Sequence, residues 1–407
     1  MKNRYLLQCM NKLDWDVNKV KKFISDKVVI KYNSIILSHD IHNLYHTFQY
    51  GCKYGKTDVI KLFTNMIVQQ SFLDDCFIFC DAIHNCCKTG QLELASWLYK
   101  SVYLSHTKFY LNWSNVQWQY IFEVSCMTGQ LPILQWLLTL KLNIDVHNDQ
   151  DRPFAISCSR GHLDVAKWLH HEQGAQIDAR YNSAFYNSCC NGHFEVAKWI
   201  YSLQPNIFKT AKNLHQIITR CCSKGHLKIA RWLFKKLHRV KQLNINNEIN
   251  DAFIVSCSNG QLKSAQWLYN IYNFSNKSGI DCSKFNIQAD DYEAFEESCS
   301  RGHLDIARWL YSLSPPSDTC FINTFKKSCN QNQTHIAKWL YNLNQTKINI
   351  RQNNDDLFRN CCDYNCKQTA QWLTTLCSDY KLTINKKNFT YKISAWYENK
   401  KNRLYIF

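Results

Sequence analysis

Apolar and polar residues recur along this chain with a spacing of 30 to 42 residues. Each repeat centres on a glycine or an asparagine, which we call its anchor. A Phe or Ile precedes the anchor by seven positions, and a cysteine precedes it by three. Ten repeats are present, with the anchors Gly55, Gly90, Gly129, Gly161, Gly192, Gly225, Gly260, Gly302, Asn332 and Asn365.

The segment before each anchor predicts a first helix. Its apolar residue and its cysteine are four positions apart, and residues with this spacing lie on one face of a helix. The cysteine is present in all ten repeats. A free cysteine behaves as a small hydrophobic residue in a protein interior, so we interpret this position as part of the packed core.

The segment after each anchor predicts a second helix. Alanine is common five residues after the anchor and tryptophan seven residues after it. The positions three and six residues after the anchor are mostly polar and form one narrow stripe on the helix. Because apolar residues fill most of the remaining circumference, this helix must be covered by its partner helix and by both neighbouring repeats. We therefore predict a structural core built on Trp97, Trp136, Trp168, Trp199, Trp232, Trp267, Trp309, Trp339 and Trp372.

A left-handed turn is predicted between the two helices. The anchor is glycine in eight repeats and asparagine in the other two. Glycine adopts a positive φ without strain, and asparagine is among the few other residues that tolerate it. Backbone geometry therefore explains the recurring residue without a ligand.

Residues 151–179, DRPFAISCSRGHLDVAKWLHHEQGAQIDA, show the order of features of an ankyrin repeat. Pro153 and Phe154 match the Pro-Leu step of the first helix, and Gly161-His162 matches the Gly-His turn. Trp168-Leu169 stands where the family has its leucine pair. The chain resembles ankyrin-repeat proteins, and its Ser-Cys and Ala-Lys-Trp-Leu variants are similar to those of the divergent ankyrin-repeat families of large DNA viruses of amoebae.

This resemblance implies an all-α fold, an ankyrin-like solenoid of stacked helix-turn-helix repeats. Most repeats lack the Thr-Pro helix start and the Gly-Ala finger of the family. We therefore expect the inter-repeat fingers to be short or irregular.

The repeats divide the chain into three expected regions. Residues 47–377 form an array of about ten repeats. Residues 1–46 are interpreted as a degenerate N-terminal capping repeat and residues 378–407 as a basic C-terminal cap or tail, because repeat arrays need atypical terminal elements. The two longest periods predict surface loops at 101–115 and 272–291.

The charge of the chain leaves two interpretations open. Lysine and arginine exceed aspartate and glutamate by 17. Such an excess suits nucleic acid or an anionic membrane surface. The alternative is a generally lysine-rich composition with its charge spread along the chain.

Other features of the composition favour a soluble intracellular protein. No apolar run reaches the roughly 20 residues that a helix needs to cross a bilayer, and the first residues lack the apolar core of a secretory signal. The 21 cysteines then indicate reduced thiols in an intracellular compartment, with the cytoplasm and the nucleus both open.

Residues that resemble metal ligands or catalytic groups recur with the repeat. Cys158 and His162 are four positions apart, and three other repeats contain the same pair. Other repeats have glutamine in place of the histidine, however, and glutamine is a poor zinc ligand. No Gly-rich phosphate loop or HExxH motif is present. We therefore expect no metal, no cofactor and no enzymatic activity.

Side chains between the Phe and Cys positions differ in charge from repeat to repeat. In an ankyrin-like array they would line a concave surface, and their variety suits a shaped partner better than a uniform row of phosphates. We predict a non-catalytic scaffold that binds a protein partner there, the alternative being a basic solenoid that binds nucleic acid. The candidate partner-binding residues are His84, Asn85, Glu123, Tyr186, Asn187, Glu296, Glu297, Lys326 and Lys327.

Overall fold

The structure is a computed structural model that describes residues 14–20, 38–69, 76–104, 115–205, 207, 214–239, 245–277, 289–384 and 389–393. These residues contain ten pairs of α-helices, each pair joined at an anchor. First helices of successive repeats pack directly against one another along much of the chain. The predicted all-α solenoid of stacked helix pairs is confirmed, apart from one short hairpin near the C-terminus.

The helix boundaries follow the repeat pattern. The first helices span Ser38–Lys53, Cys76–Thr89, Asn115–Thr128, Asn148–Arg160, Ala179–Cys190, Leu214–Ser223, Ile245–Ser258, Ala289–Ser300, Asp318–Asn330 and Gln352–Asp363. The second helices span Thr57–Gln69, Leu92–Leu98, Leu131–Thr139, Leu163–His171, Phe194–Leu203, Leu227–Arg239, Leu262–Lys277, Leu304–Leu313, Thr334–Leu343 and Lys367–Leu376.

The anchors end the first helices in a left-handed turn. All ten have a positive φ, between 58° and 91°. In the Gly161 repeat, the anchor N–H donates to the carbonyl of Cys158 at 3.2 Å, and the next N–H, of His162, donates to the carbonyl of Ser157 at 3.0 Å. This pair of bonds is the Schellman motif, which satisfies carbonyls left open at a helix end.

The core consists of the first-helix Phe or Ile, the cysteine and the aliphatic side of the second helix. The ten cysteines are at most 5% exposed, and the ten Phe or Ile residues are at most 6% exposed. The residue eight positions after each anchor, such as Leu169 or Ile200, is also buried. Burial of these side chains is the main favourable term for stacking, about 25 cal/mol per Å² of apolar surface.

The tryptophans lie differently from the prediction. Trp168 is buried, with 6% exposed, but the other eight are only partly buried. Their rings pack at the boundary between repeats rather than at the centre of the core. Trp199 lies 6.3 Å from Phe154 and 6.0 Å from His170 of the preceding repeat, and Trp309 lies 5.8 Å from Tyr269 in the same way.

The loops predicted for the two longest periods are partly wrong. Residues 101–104 complete a π-helix, Tyr99–Leu104, and residues 272–277 extend the second helix Leu262–Lys277. Propagating a helix adds one hydrogen bond for each residue that is ordered, which favours extending the helix. Residue 115 and residues 289–291 belong to the next first helices, Asn115–Thr128 and Ala289–Ser300, and residues 105–114 and 278–288 lie outside the described residues. The described segments between repeats contain no strand.

A hairpin follows the last repeat. Strand β1, Tyr380–Ile384, pairs antiparallel with strand β2, Phe389–Ile393. The Tyr380 ring stacks on Phe358 of the last repeat with centroids 4.2 Å apart, and its hydroxyl donates to the carboxylate of Asp355. Tyr380 thus takes the place that a tryptophan of the next repeat holds elsewhere.

Before the first repeat, Trp15 is buried, with 7% of its surface exposed. Its ring stacks on Tyr50 of the first repeat, with centroids 5.7 Å apart. Most of the region interpreted as an N-terminal cap, 1–13 and 21–37, lies outside the described residues.

The contacts of the chain define two compact units, a division that the repeat pattern does not predict. One unit comprises Met1–Ser188 and His193–Ile207, and the other comprises Cys189–Gly192 and Phe208–Phe407. Each unit contains several complete helix pairs with the core described above.

Candidate functional site

The surface with the most varied side chains lies on the first helices, six and five positions before each anchor. We call it the first-helix face. The Phe or Ile one position before this face and the cysteine two positions after it are buried in the described repeats. The candidate residues that are partly exposed on this face are His84, Asn85, Tyr186, Asn187, Glu296, Glu297, Lys326 and Lys327.

Glu123 is the exception among the candidates, because it is only 7% exposed. One carboxylate oxygen accepts from Asn148 Nδ2 at 2.8 Å, and the other lies 2.9 Å from the Arg152 guanidinium. Both partners belong to the next repeat. A buried charge requires such pairing, so this carboxylate joins two repeats. Its expected role as an exposed partner contact is wrong.

Four candidates come together in the second unit. Lys327 Nζ lies 2.7 Å from Glu296 Oε1 and 2.9 Å from Glu297 Oε1, although the lysine and the glutamates belong to different repeats. The hydrogen bond from Lys327 lowers the pKa of Glu297. The pKa of Lys327 is raised, because its bonds to the two glutamates outweigh the opposing effect of burial. Lys326, beside it, donates to Gln352 Oε1 at 3.0 Å.

The other candidates occupy separate places in the first unit. Asn85 Nδ2 donates to Gln49 Oε1 of the preceding repeat at 2.6 Å. The His84 ring lies 5.3 Å from the ring of Tyr120, a residue that is 57% exposed. Burial lowers the pKa of His84, which favours its neutral form. Among the described candidates of the first unit, Asn85 and His84 therefore make local contacts with the repeats before and after their own.

From the second repeat onward, the residue after the anchor contacts the preceding repeat. His193 packs over Gly161, where an added Cβ would lie 2.4 Å from His193 Nδ1. His162 packs over Gly129 in the same way, and its Nε2 lies 3.0 Å from the Met127 carbonyl. A carbonyl oxygen only accepts, so Nε2 is the donor. This histidine position therefore seals the helix end of its neighbour.

Glutamine performs the same packing in other repeats. Gln91 Oε1 would lie 2.4 Å from a Cβ at Gly55, and Gln130 Oε1 would lie 2.3 Å from one at Gly90. Histidine and glutamine share a planar group with nitrogen or oxygen at its edge. Their exchange at this position follows from the shape of the contact.

The asparagine anchor Asn332 has a different neighbour. The residue that follows the next anchor is Cys366, whose thiol donates to the Asn330 carbonyl at 3.0 Å. The Asn332 side chain instead accepts from the backbone N–H of Thr369 at 3.2 Å. A side chain at the anchor is thus accompanied by a smaller residue in the next repeat. The sequence contains this pairing, but only the contact shows that the two positions belong together.

The described cysteines are free thiols, and all but Cys80 are buried. Burial raises the pKa of Cys158, and it raises the pKa of Cys222 to about 12. Since the thiolate is the reactive form, these thiols are unsuited to nucleophilic chemistry. In the part of the chain that the structure describes, no group of three His, Cys, Asp or Glu residues is placed to hold a metal ion. None of the described helices has the length and apolar character to span a membrane.

Comparison with known proteins finds a family match for one part of the array. Residues 121–213 match the family model described as ankyrin repeats in three copies. No curated protein matches the chain. Among solved structures, the human ASB11 ankyrin repeat domain is 16% identical, with 47% of this chain and 83% of that chain covered and a TM-score of 0.34. Residues 121–213 are therefore similar to ankyrin repeats, and helix pairs with the same buried Phe or Ile and cysteine positions continue on both sides of them.

Proposed function

We propose that this chain is a non-catalytic scaffold that binds a protein partner through its first-helix face. One observation carries the proposal. The Phe or Ile and Cys positions of the first helices are buried and nearly uniform. The positions six and five before the anchor are varied and, outside the Gly129 repeat, at least partly exposed. Ankyrin repeats generally mediate contacts between proteins, which supports the same function.

The charges on this face favour a protein over nucleic acid. Glu296 and Glu297 place two carboxylates beside Lys326 and Lys327. Phosphates would be repelled by the glutamates, whereas a protein surface can present both signs of charge to match. We assign the strongest contact to this cluster in the second unit.

The thiols support an intracellular compartment. Free cysteines fill the core position of every repeat, and such thiols persist in a reducing environment. We propose an intracellular protein on this basis.

A pair of charge reversals tests the proposal. Lys326→Glu alters the first-helix face, and Lys338→Glu makes the same change on the exposed side of the second helix of the same repeat. Each full-length variant is compared with the unchanged chain by cross-linking in cell extract followed by mass spectrometry. We expect Lys326→Glu to lose the proteins that the unchanged chain captures, and Lys338→Glu to keep them.

Two results would contradict the proposal. Captured proteins that are lost equally in both variants would indicate general electrostatic attraction. Captured proteins that are retained by both, together with unchanged thermal stability, would place the contact away from the first-helix face.

A further inference from the structure

The positive charge of the chain is concentrated in one repeat. Residues 208–247, around the Gly225 anchor, contain no Asp or Glu. They contain ten of the basic residues of the chain, against a net charge of +17 for all 407 residues. These basic residues are Lys209, Lys212, Arg220, Lys224, Lys228, Arg231, Lys235, Lys236, Arg239 and Lys241.

Part of this charge forms a row on the second helix, Leu227–Arg239. Lys228, Arg231 and Lys235 are exposed, and their spacing of three and four positions places them on one side of the helix. The helix rises 1.5 Å per residue, so successive charges lie roughly 4.5 to 6 Å apart along its axis. Lys224 is exposed in the preceding turn, and Lys263 is exposed at the equivalent outer position of the next repeat. We call these five residues the basic stripe.

The stripe lacks the side chains that usually hold proteins together. Protein interfaces depend on buried aromatic and aliphatic anchors, and lysine is depleted in them. Among the side chains described between 216 and 236, the exposed ones are polar or basic, and the aromatic ones, Trp232 and Phe234, are only partly exposed. A partner bound here therefore gains mainly electrostatic energy.

We propose that the basic stripe binds the phosphate backbone of a nucleic-acid duplex without reading its sequence. Lysine and arginine contacts to phosphates supply affinity and orientation, but they carry no base specificity. Single strands are usually held by stacking of bases on exposed aromatic rings, which the stripe does not offer. A duplex requires only the row of cations.

The basic stripe is a different surface from the first-helix face, which we propose binds a protein. The stripe lies mainly on second helices, whereas the candidate protein contacts lie on first helices. Either function could therefore fail in experiment without affecting the other.

The test measures binding of a labelled DNA duplex of mixed sequence to the full chain by fluorescence anisotropy over a series of salt concentrations. In the stripe variant, Lys228→Gln, Arg231→Gln and Lys235→Gln are combined. We expect its affinity at low salt to fall by about tenfold or more, and the slope of log K against log salt to decrease in magnitude by about three.

A control variant removes the same charge elsewhere on the second helices. It combines Lys167→Gln, Lys198→Gln and Lys338→Gln, which are exposed at equivalent outer positions. We expect this variant to bind the duplex within about twofold of the unchanged chain, since its charges lie outside the stripe. Helical circular dichroism should be the same for all three proteins, because the altered side chains are exposed.

Three results would overturn the proposal. One is the absence of salt-dependent duplex binding by the unchanged chain. Another is an equal loss of affinity in the control variant, which would show that only net charge matters. The third is competition by poly-glutamate as strong as that by unlabelled duplex, which would identify an acidic polypeptide as the partner class.

Discussion

At the scale of single residues, the anchor glycine meets two separate requirements. Its positive φ, 84° at Gly161, turns the chain out of the first helix. Its missing side chain leaves room for His193 of the next repeat. Gly174 meets only the first requirement, because its φ is 77° and nothing lies within 4 Å of a Cβ built there.

This difference gives a matched pair of substitutions. We expect Gly174→Ala to cost about 1 kcal/mol in the free energy of unfolding, the ordinary cost of a left-handed residue with a Cβ. Gly161→Ala should cost about 2 to 4 kcal/mol, because the imidazole must also move. Urea denaturation of the two variants measures both values. Equal losses would show that the contact with His193 is unimportant.

The asparagine repeat suggests a compensating change. Gly161→Asn combined with His193→Cys reproduces the pair formed by Asn332 and Cys366. We expect the combination to be more stable than Gly161→Asn alone, with a favourable coupling between the two substitutions in a double-mutant cycle. A coupling near zero would mean that the natural pairing is incidental.

At the scale of the helix pair, the tryptophans connect neighbouring repeats. Trp372 lies 6.5 Å from Phe325 and 5.8 Å from Tyr341, the same two positions that Trp339 contacts one repeat earlier. Such edge-on aromatic pairs contribute about 0.5 to 1.5 kcal/mol beyond the area they bury. The tryptophan therefore stabilises the interface between repeats more than the interior of its own repeat.

Removing one of these rings should have an intermediate effect. We expect Trp199→Ala to cost about 2 to 3 kcal/mol, below the usual range for a fully buried aromatic residue because the indole is partly exposed. Trp199→Phe keeps a ring against Phe154 and should lose less. Chemical denaturation followed by circular dichroism measures both variants, and a loss under about 0.5 kcal/mol for the alanine variant would contradict the role of the indole between repeats.

The pair formed by Glu297 and Lys327 makes stability depend on pH. The pKa of Glu297 is lowered in the folded chain, first by its hydrogen bond from Lys327. The folded state therefore binds fewer protons than the unfolded state, so the pair stabilises the fold above the ordinary glutamate pKa of about 4.3. This contribution is lost as the pH falls through the lowered pKa.

Comparison with Glu297→Gln reveals this contribution. The unchanged chain should be more stable than the variant at pH 7, by less than about 1 kcal/mol because the pair is partly solvated. The difference should disappear in acid. In a Lys327→Gln background, the pH dependence of Glu297→Gln should be smaller, with the remainder coming from Arg301, whose Nε lies 3.0 Å from Glu297 Oε2. A dependence of unchanged size there would exclude the lysine as its main cause.

At the scale of the whole molecule, the contacts of the chain separate into two compact units. Within such an array, each repeat is stabilised mainly by its immediate neighbours. We expect differential scanning calorimetry to give a calorimetric enthalpy larger than the van't Hoff enthalpy. Gly161→Ala should lower the temperature of only one of the transitions. Equal enthalpies, with a single transition that shifts as a whole, would show that the chain unfolds as one unit.

The roles that depend only on local backbone geometry could be predicted from the sequence. Phe154 and Cys158 lie on one face because a helix returns to the same side after four residues, and Gly161 turns because its φ must be positive. These constraints act within a few positions, so a single repeat displays them. Ten repetitions of the same constraints identify the fold.

The roles that depend on a neighbouring repeat were decided only by the tertiary structure. Glu123 is buried because Arg152 reaches it from the next repeat, and His162 seals a helix end that lies 35 positions earlier. Eight of the nine predicted core tryptophans are partly exposed, and rings such as Trp199 contact the preceding repeat. The sequence alone determined which residues could form a helix pair, whereas stacking determined which of them remained at the surface, since burial depends on side chains that are distant in the chain.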